Sequence, residues 1–331
     1  MTLPIRLSVA PMMDWTDRHC RMFHRTLSRH ALLYTEMITS AALIRGGAVH
    51  LLDHDAREGP VVLQLGGSDP AELAAAAALG QGAGYARIDL NCGCPSDRVQ
   101  SGTFGAVLMR DAPRVAACVA AMVAAVQVPV TVKCRIGVDD QNPTQVLPDF
   151  IARVADAGAA GVTVHARKAW LAGLSPKENR EIPPLDYDLV RAMRARFPGI
   201  EMGINGGITS LDQAQGFLAD GFDHAMIGRA AYHQPWVILG GADAALWWEA
   251  RWPDPATAAR AMLPYIAAHL DAGGRLHQVT RHMLGLFYAC PGARAWKRVL
   301  SEGAHLDGAG VALVEQALEA VMTEAERVAV G

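Results

Sequence analysis

Between residue 7 and about residue 230 one short pattern recurs eight times: an apolar run of strand length, a turn, and then an Ala-rich stretch with helical spacing. The strand runs fall at residues 7–10, 32–36, 61–65, 86–90, 130–134, 161–165, 201–204 and 224–227. Strands that alternate with helices must be joined by crossovers, which makes them parallel. Eight such units predict an α/β fold, a (β/α)₈ TIM barrel. Helices are predicted at 70–81, 113–126, 144–156, 186–196 and 210–219, several opening on Ser, Thr, Asp or Pro at a cap or first-turn position.

After Gly240-Gly241 the strand signals stop, and helical patterns follow at 243–251, 255–272, 275–290, 293–302 and 310–329. Their separators are Pro253, Gly273-Gly274 and Pro291-Gly292. The expected organisation is a barrel domain over residues 1–240 and a smaller all-helical domain over residues 241–331. With 331 residues, 51% of them hydrophobic, the chain has ample apolar material for both cores. No segment approaches the roughly 18 consecutive apolar residues of a membrane span, and residues 1–10 lack the apolar run of a signal peptide. A cytoplasmic enzyme without a membrane partner is expected.

Barrel architecture sends the residues at the carboxyl ends of the strands to one face. Those ends carry Pro11-Met12-Met13-Asp14, Glu36, Gln64, Asn91 and Cys94, Lys133 and Arg135, His165, Asn205-Gly206-Gly207, and Gly228-Arg229. Within that set the turn Asn91-Cys92-Gly93-Cys94-Pro95 is the most specific. Gly93 and Pro95 forbid a regular continuation of the strand, so Cys94 sits on a stiff loop at the barrel mouth. The bland alternative is a small hydrophobe filling a turn. Cys92-x-Cys94 lacks both the usual zinc spacing and a second pair, so no metal is expected, and six cysteines do not make a disulfide scaffold.

At the last two strand ends, glycines permit close backbone approach to an anion and Arg229 can add a charge-assisted contact. Barrels often hold phosphate there. Lys133, His165 and Gln64 offer donors and acceptors suited to the polar edge of an isoalloxazine ring. No G-x-G-x-x-G fingerprint is present, so tight nicotinamide binding on a Rossmann fold is not indicated, and FMN fits better than FAD.

These residues resemble the tRNA-dihydrouridine synthase family. The resemblance is carried by Ala10-Pro11-Met12-Met13, Gln64-Leu65-Gly66-Gly67, Asn91-Cys92-Gly93-Cys94-Pro95, Lys133-Cys134-Arg135-Ile136-Gly137, Val164-His165-Ala166-Arg167, Asn205-Gly206-Gly207-Ile208 and Met226-Ile227-Gly228-Arg229. The segments 14–21 and 173–185 resemble the subgroup that modifies positions 20 and 20a of the D-loop. The resemblance implies that FMN is reduced by NADPH (or NADH), that hydride passes to C6 of a uracil ring, and that Cys94 protonates C5 from the other face. A free thiol, with its usual pKa near about 8.5, suits that acid role. It further implies that Pro11, Met12, Met13 and Gln64 line the flavin ring and that Lys133 and His165 hold its polar edge. Asn205, Gly206, Gly207, Gly228 and Arg229 would hold its phosphate, while Asn91 and Arg180 would meet tRNA or the target base.

A net charge of −3 gives no global sign of nucleic-acid binding, so an RNA partner needs a local patch. Residues 272–301 contain no Asp or Glu but carry Arg275, Arg281, Arg294, Lys297 and Arg298. Arg294, Lys297 and Arg298 recur at helical spacing on one face, where they can meet successive phosphates. Residues 166–184 form a connection long enough for a lid, bearing Lys168, Trp170, Lys177 and Arg180. Arg135 and Lys177 complete the expected tRNA contacts. No sustained heptad pattern argues for a coiled-coil dimer, so a monomer without an obligate protein partner is expected. Two other functions share parts of this pattern. One is an FMN barrel oxidoreductase acting on a free pyrimidine, like dihydroorotate dehydrogenases; the other is a non-catalytic RNA-binding protein on a degenerate barrel.

Overall fold

The computed structural model describes residues 4–96 and 104–330; the first three residues of the N-terminal stretch read above lie outside the described residues. Eight parallel strands form the barrel: β1 (Leu7–Val9), β2 (Leu33–Thr39), β3 (Val61–Gly66), β4 (Arg87–Cys92), β5 (Val130–Arg135), β6 (Gly161–His165), β7 (Glu201–Asn205) and β8 (His224–Ile227). Their order is β1-β8-β7-β6-β5-β4-β3-β2. Leu32 seals the ring between β1 and β2: Val9 N donates to its carbonyl at 2.9 Å and its own N–H reaches Leu7 O at 3.0 Å. The apolar runs thus become strands buried on both faces. Ala10, Leu32, Tyr34, Val62 and Met226 pack together as a small separate cluster, apart from the main core between strands and helices.

The helices are α1 (Arg18–Leu27), α2 (Ser40–Ile44), α3 (Pro70–Gly82), α4 (Ala112–Ala125), α5 (Pro143–Asp156), α6 (Tyr187–Arg196), α7 (Leu211–Ala219), α8 (Arg229–His233), α9 (Gly241–Trp247), α10 (Pro255–Arg260), α11 (Leu263–Asp271), α12 (Leu276–Thr280), α13 (Ala293–Gly303) and α14 (Val311–Val330). Side chains of Asp69, Asp111, Asn142, Asp186 and Ser210 cap α3 to α7 by accepting first-turn N–H groups, which is why these helices begin within a residue or two of the expected positions. In the C-terminal part the segment 255–272 is two helices rather than one. Pro264 has no N–H for the carbonyl of Arg260 and its ring crowds it. Helix 275–290 also ends early, at Thr280, and continues as turns to Cys290. There Gly285 lies against α8: a Cβ on it would stand 2.5 Å from His233 O. The segment 243–251 stops at Trp247 because Trp248 takes a left-handed conformation, φ 60°.

Helix α1 carries the C-terminal helices. The Asp243 carboxylate accepts Arg29 N at 2.7 Å, Trp252 Nε1 donates to Thr26 O at 2.7 Å, and Arg251 donates to Arg25 O at 2.7 Å. No helix among the described residues is long and apolar enough to cross a membrane.

Candidate active site

Side chains of a strand alternate between its two faces, so Asp89 and Asn91 of β4 point the same way, as do Thr131, Lys133 and Arg135 of β5. Strand register then sets their neighbours. Gln64 lies beside Asp89, Asp89 beside Thr131, Asn91 beside Lys133, and His165 between Arg135 and Asn205. The polar strand-end residues named from the sequence therefore converge at one end of the ring.

At the centre of this face is a hydrogen-bonded array. Gln64 Nε2 donates to Asp89 Oδ2 at 2.8 Å, Thr131 Oγ1 donates to Asp89 Oδ1 at 2.8 Å, and Asn91 Nδ2 donates to Gln64 Oε1 at 2.8 Å. Asn91 Oδ1 in turn accepts the backbone N–H groups of Gly93 at 3.1 Å and Cys94 at 3.0 Å. Cys94 is half-buried, its thiol 3.5 Å from Ser96 Oγ, whereas Cys92 is fully buried. Burial pushes the Cys92 thiol well up, and of the two only Cys94 reaches the surface.

Lys133 Nζ donates to Asn205 Oδ1 at 3.0 Å, and Asn205 Nδ2 donates to Met226 O at 2.7 Å. Burial, then Arg135, pulls the Lys133 ammonium down to about 8. His165 is held well below its ordinary value by burial and by Arg135, so its imidazole is neutral, and its buried Nδ1 has no partner among the described residues. Burial raises Asp89 to about 6 against the pull of its two hydrogen bonds.

Gly206 and Gly207 turn with φ of 108° and 69°. A Cβ on Gly206 would meet His165 Cε1 at 3.1 Å, and one on Gly207 would meet Leu185 Cδ1 at 2.7 Å, so only glycine fits this cradle. Tyr187 closes it by donating to Gly206 O. Met12 approaches Gly228 across the β1–β8 seam, its sulfur 3.7 Å from where a Cβ would stand. Met13 is exposed. Arg229 pairs with Glu181 at 2.6 Å, which ties the end of β8 to the long connection after β6.

That connection is pinned rather than open. Asn179 is buried, accepts Trp170 N at 2.7 Å and donates to Trp170 O at 2.8 Å and Leu174 O at 3.1 Å. Arg135, expected to meet tRNA, is buried instead and donates to Gly93 O at 3.2 Å, Lys168 O at 3.3 Å and Asn179 O at 2.9 Å. Its guanidinium joins the thiol loop to the long connection, because a buried Arg must satisfy its donors and three carbonyls lie in reach. Lys177 and Arg180 are exposed on the same connection, and Arg180 lies within electrostatic reach of Cys94 and Arg229. Lys168 stands over the Trp170 ring at 5.3 Å.

Arg294, Lys297 and Arg298 do share the exposed side of α13, opposite buried Trp296 and Leu300, and none makes an ion pair among the described residues. Three elements of the site escaped sequence reasoning: Asp89, Thr131 and the Asp17–His282 contact described below. The alternation Asp89-Leu90-Asn91 carried a signal for the first, two polar residues at strand period on the same face as each other. Among the described residues no group of three or more His, Cys, Asp or Glu could hold a metal ion.

A sequence-family model described as dihydrouridine synthase matches residues 8–326. The chain is 54% identical over 339 residues to the tRNA-dihydrouridine(20/20a) synthase of Xanthomonas campestris pv. campestris, covering 99% of this chain and 100% of that protein. It is 52% identical over 324 residues to the enzyme of the same name from Shewanella oneidensis, covering 96% and 94%. With the Escherichia coli (strain K12) protein of that name it shares 54% identity over 324 residues, covering 96% and 91%.

Proposed function

The chain belongs to the dihydrouridine synthase family, and on that premise we propose that it reduces the C5–C6 double bond of uridines 20 and 20a in the D-loop of tRNA. The observation that carries this reading is the convergence of Cys94, Asn91, Gln64, Lys133 and His165 on one barrel face, with the backbone N–H of Cys94 held by Asn91. Residues 1–240 are the catalytic barrel and residues 241–331 the tRNA-binding domain. The protein works as a cytoplasmic monomer with tRNA as its partner.

FMN fits the residues present. His165 brings a buried ring nitrogen with no partner among the described residues, Lys133 a cation, and Gln64 one N–H and one carbonyl lone pair beyond those already engaged. The Gly206–Gly207 turn, Gly228 and Arg229 form a cradle in which backbone can approach a phosphate. Asn205 orients Lys133 and likewise keeps one N–H and one carbonyl lone pair beyond those already engaged. Pro11, Met12 and Met13 flank the ring. When bound, FMN reduced by NADPH supplies hydride-transfer chemistry at C6 of the uracil.

The chain's own residues supply the rest. Cys94 gives its thiol proton to C5, and the S–H bond breaks as the C5–H bond forms. Asn91 and Arg180 hold the base in reach of that thiol. The uridine must leave its stack to get there, which an exposed loop of the tRNA elbow makes inexpensive. Arg294, Lys297 and Arg298 take the phosphate backbone.

Dihydrouridine mapping tests this reading. In tRNA from a strain lacking the protein, dihydrouridine at positions 20 and 20a should be absent, return with the wild type, and stay absent with Cys94→Ala. NADPH oxidation by the purified protein should depend on tRNA; oxidation driven equally by a free pyrimidine would reject the substrate assignment.

A further inference from the structure

We propose that Asp89 is a positioning residue for the Cys94 thiol, acting through Gln64 and Asn91. This deepens the proposed function and rests on Cys94 being the proton donor.

Asp89 is completely buried, touches no surface and stands two residues upstream of Asn91 on β4. A buried carboxylate is costly unless its oxygens are satisfied, and both are: one by Thr131, the other by Gln64, each at 2.8 Å. The consequence lies in direction. An ionised carboxylate can only accept, so Gln64 must turn its NH₂ group toward Asp89 and its carbonyl toward Asn91. Asn91 must then turn its own NH₂ toward that carbonyl at 2.8 Å. Its remaining oxygen is left facing Gly93 N and Cys94 N, which can only donate. The two ends of this chain, an obligate acceptor and two obligate donors, allow one orientation of both amides. Without Asp89, the Gln64 amide could flip and set its N–H against the N–H of Asn91, pushing Asn91 off the two backbone donors beneath the thiol loop.

Arg135 and Ala106 also hold that loop, through Gly93 O at 3.2 Å and Cys94 O at 2.9 Å. They fix carbonyls and leave the amide side of the loop to Asn91. Asp89 therefore governs the position of Cys94 without touching substrate, flavin or thiol.

The test uses the purified holoprotein and two readouts: alkylation of Cys94 by iodoacetamide, resolved by peptide mass, and steady-state tRNA reduction. Asp89→Leu removes the acceptor. Alkylation of Cys94 should change severalfold, and kcat should fall about tenfold or more, as for a displaced reacting group. Wild-type alkylation and kcat in a folded Asp89→Leu protein would overturn the proposal. Should that variant not fold, a charge exchange decides. Gln64→Glu alone sets two carboxylates face to face and should disturb both readouts. Adding Asp89→Asn restores the directed chain, because the new amide donates to Glu at 64 and accepts from Thr131. The double variant should move back toward wild type in both readouts; a double variant no better than Gln64→Glu rejects the relay. If Cys94→Ala retains tRNA reduction, the acid role fails, yet the alkylation readout still judges the relay by itself.

Discussion

The carboxylate of Asp17, the N-cap of α1, accepts from His282 at 3.0 Å although 265 positions separate them, and from Arg281 beside it. The same carboxylate caps α1 through the N–H groups of His19 and Cys20, both at 2.9 Å. It joins the loop after β1 to the C-terminal helices. Burial pushes this carboxyl up, but the hydrogen bond and charge of His282 outweigh it and hold the group below the usual carboxylate range. Asp17→Ala should lower stability at pH 7 by about 2–4 kcal/mol, from a lost cap and a stranded buried partner. Asp17→Asn keeps the cap and should cost less. Because the folded-state pKa is depressed, the contribution is complete above the unfolded value near about 3.9 and drains as pH falls further. Urea midpoints measured from pH 7 to pH 3 check this; equal losses for the two variants would remove the ion pair from the account.

Lys133 loses its proton near about 8, so its hold on an anionic ring edge weakens over an accessible pH range. FMN affinity of the flavin-free protein should fall as pH rises from 7 to 9, and Lys133→Met should abolish the dependence while weakening binding throughout. Flavin fluorescence quenching measures it. The same depression makes the flavin-free fold gain stability as pH rises from about 8 toward the unfolded value near about 10.4. A pH-independent Kd in the wild type would show that the ammonium is not used.

Cys94→Ala should keep its flavin yet slow tRNA reduction by about 10²–10⁴, the usual worth of a positioned general acid. Cys92→Ala should cost stability and little rate, since that thiol is fully buried. Rapid-mixing oxidation of the pre-reduced protein by tRNA separates the two. Similar rates for Cys94→Ala and wild type would sink the assignment.

The Arg229–Glu181 pair predicts competition at the phosphate cradle. Glu181→Gln should free the guanidinium and tighten FMN binding severalfold, whereas Arg229→Ala should weaken it. The pair is partly exposed, so it contributes little to folding and neither change should move the melting temperature by more than a degree or so. Opposite signs in the two Kd shifts are the expected result; a shared sign would detach Arg229 from the phosphate.

Neutralising Arg294 and Arg298 should weaken tRNA binding and reduce the slope of log K against log salt by about 0.7–0.9 per lost phosphate contact. Filter-binding between low and moderate salt measures the slope. An unchanged slope would place the tRNA elsewhere.

The strands were legible because each is an apolar run buried on both faces, and the observed bounds differ from the expected ones mainly at their ends; β2 runs three residues past Glu36. Helix α1 was not legible. Its sequence is full of Arg and His, yet Arg21 is buried against Glu58 at 2.7 Å, and Arg25 donates to the carbonyls of Glu58, Ser28, Arg29, Ala31 and Pro60. Periodicity that counts Arg as solvent-facing cannot see such a helix. Arg135 shows the same limit: a strand-end cation carries no sign in the sequence of the three backbone carbonyls it donates to. The strand-end positions of Cys94, Lys133 and His165 could be read locally, but the Asp89 relay and the Asp17 contact depend on pairings across strands and across 265 positions.

Ring closure depends on a late event in the chain. β1 finds its lateral partner in β8, whose residues Leu7↔Ala225 to Val9↔Ile227 are joined only after more than 200 intervening residues exist. Synthesis runs from the amino end, so Met12 and Cys94 emerge long before the Gly206 turn and before Gly228, which Met12 faces. The barrel face that gathers these residues therefore forms only after β8 has been made, and a chain cut before residue 224 has the thiol but an open ring.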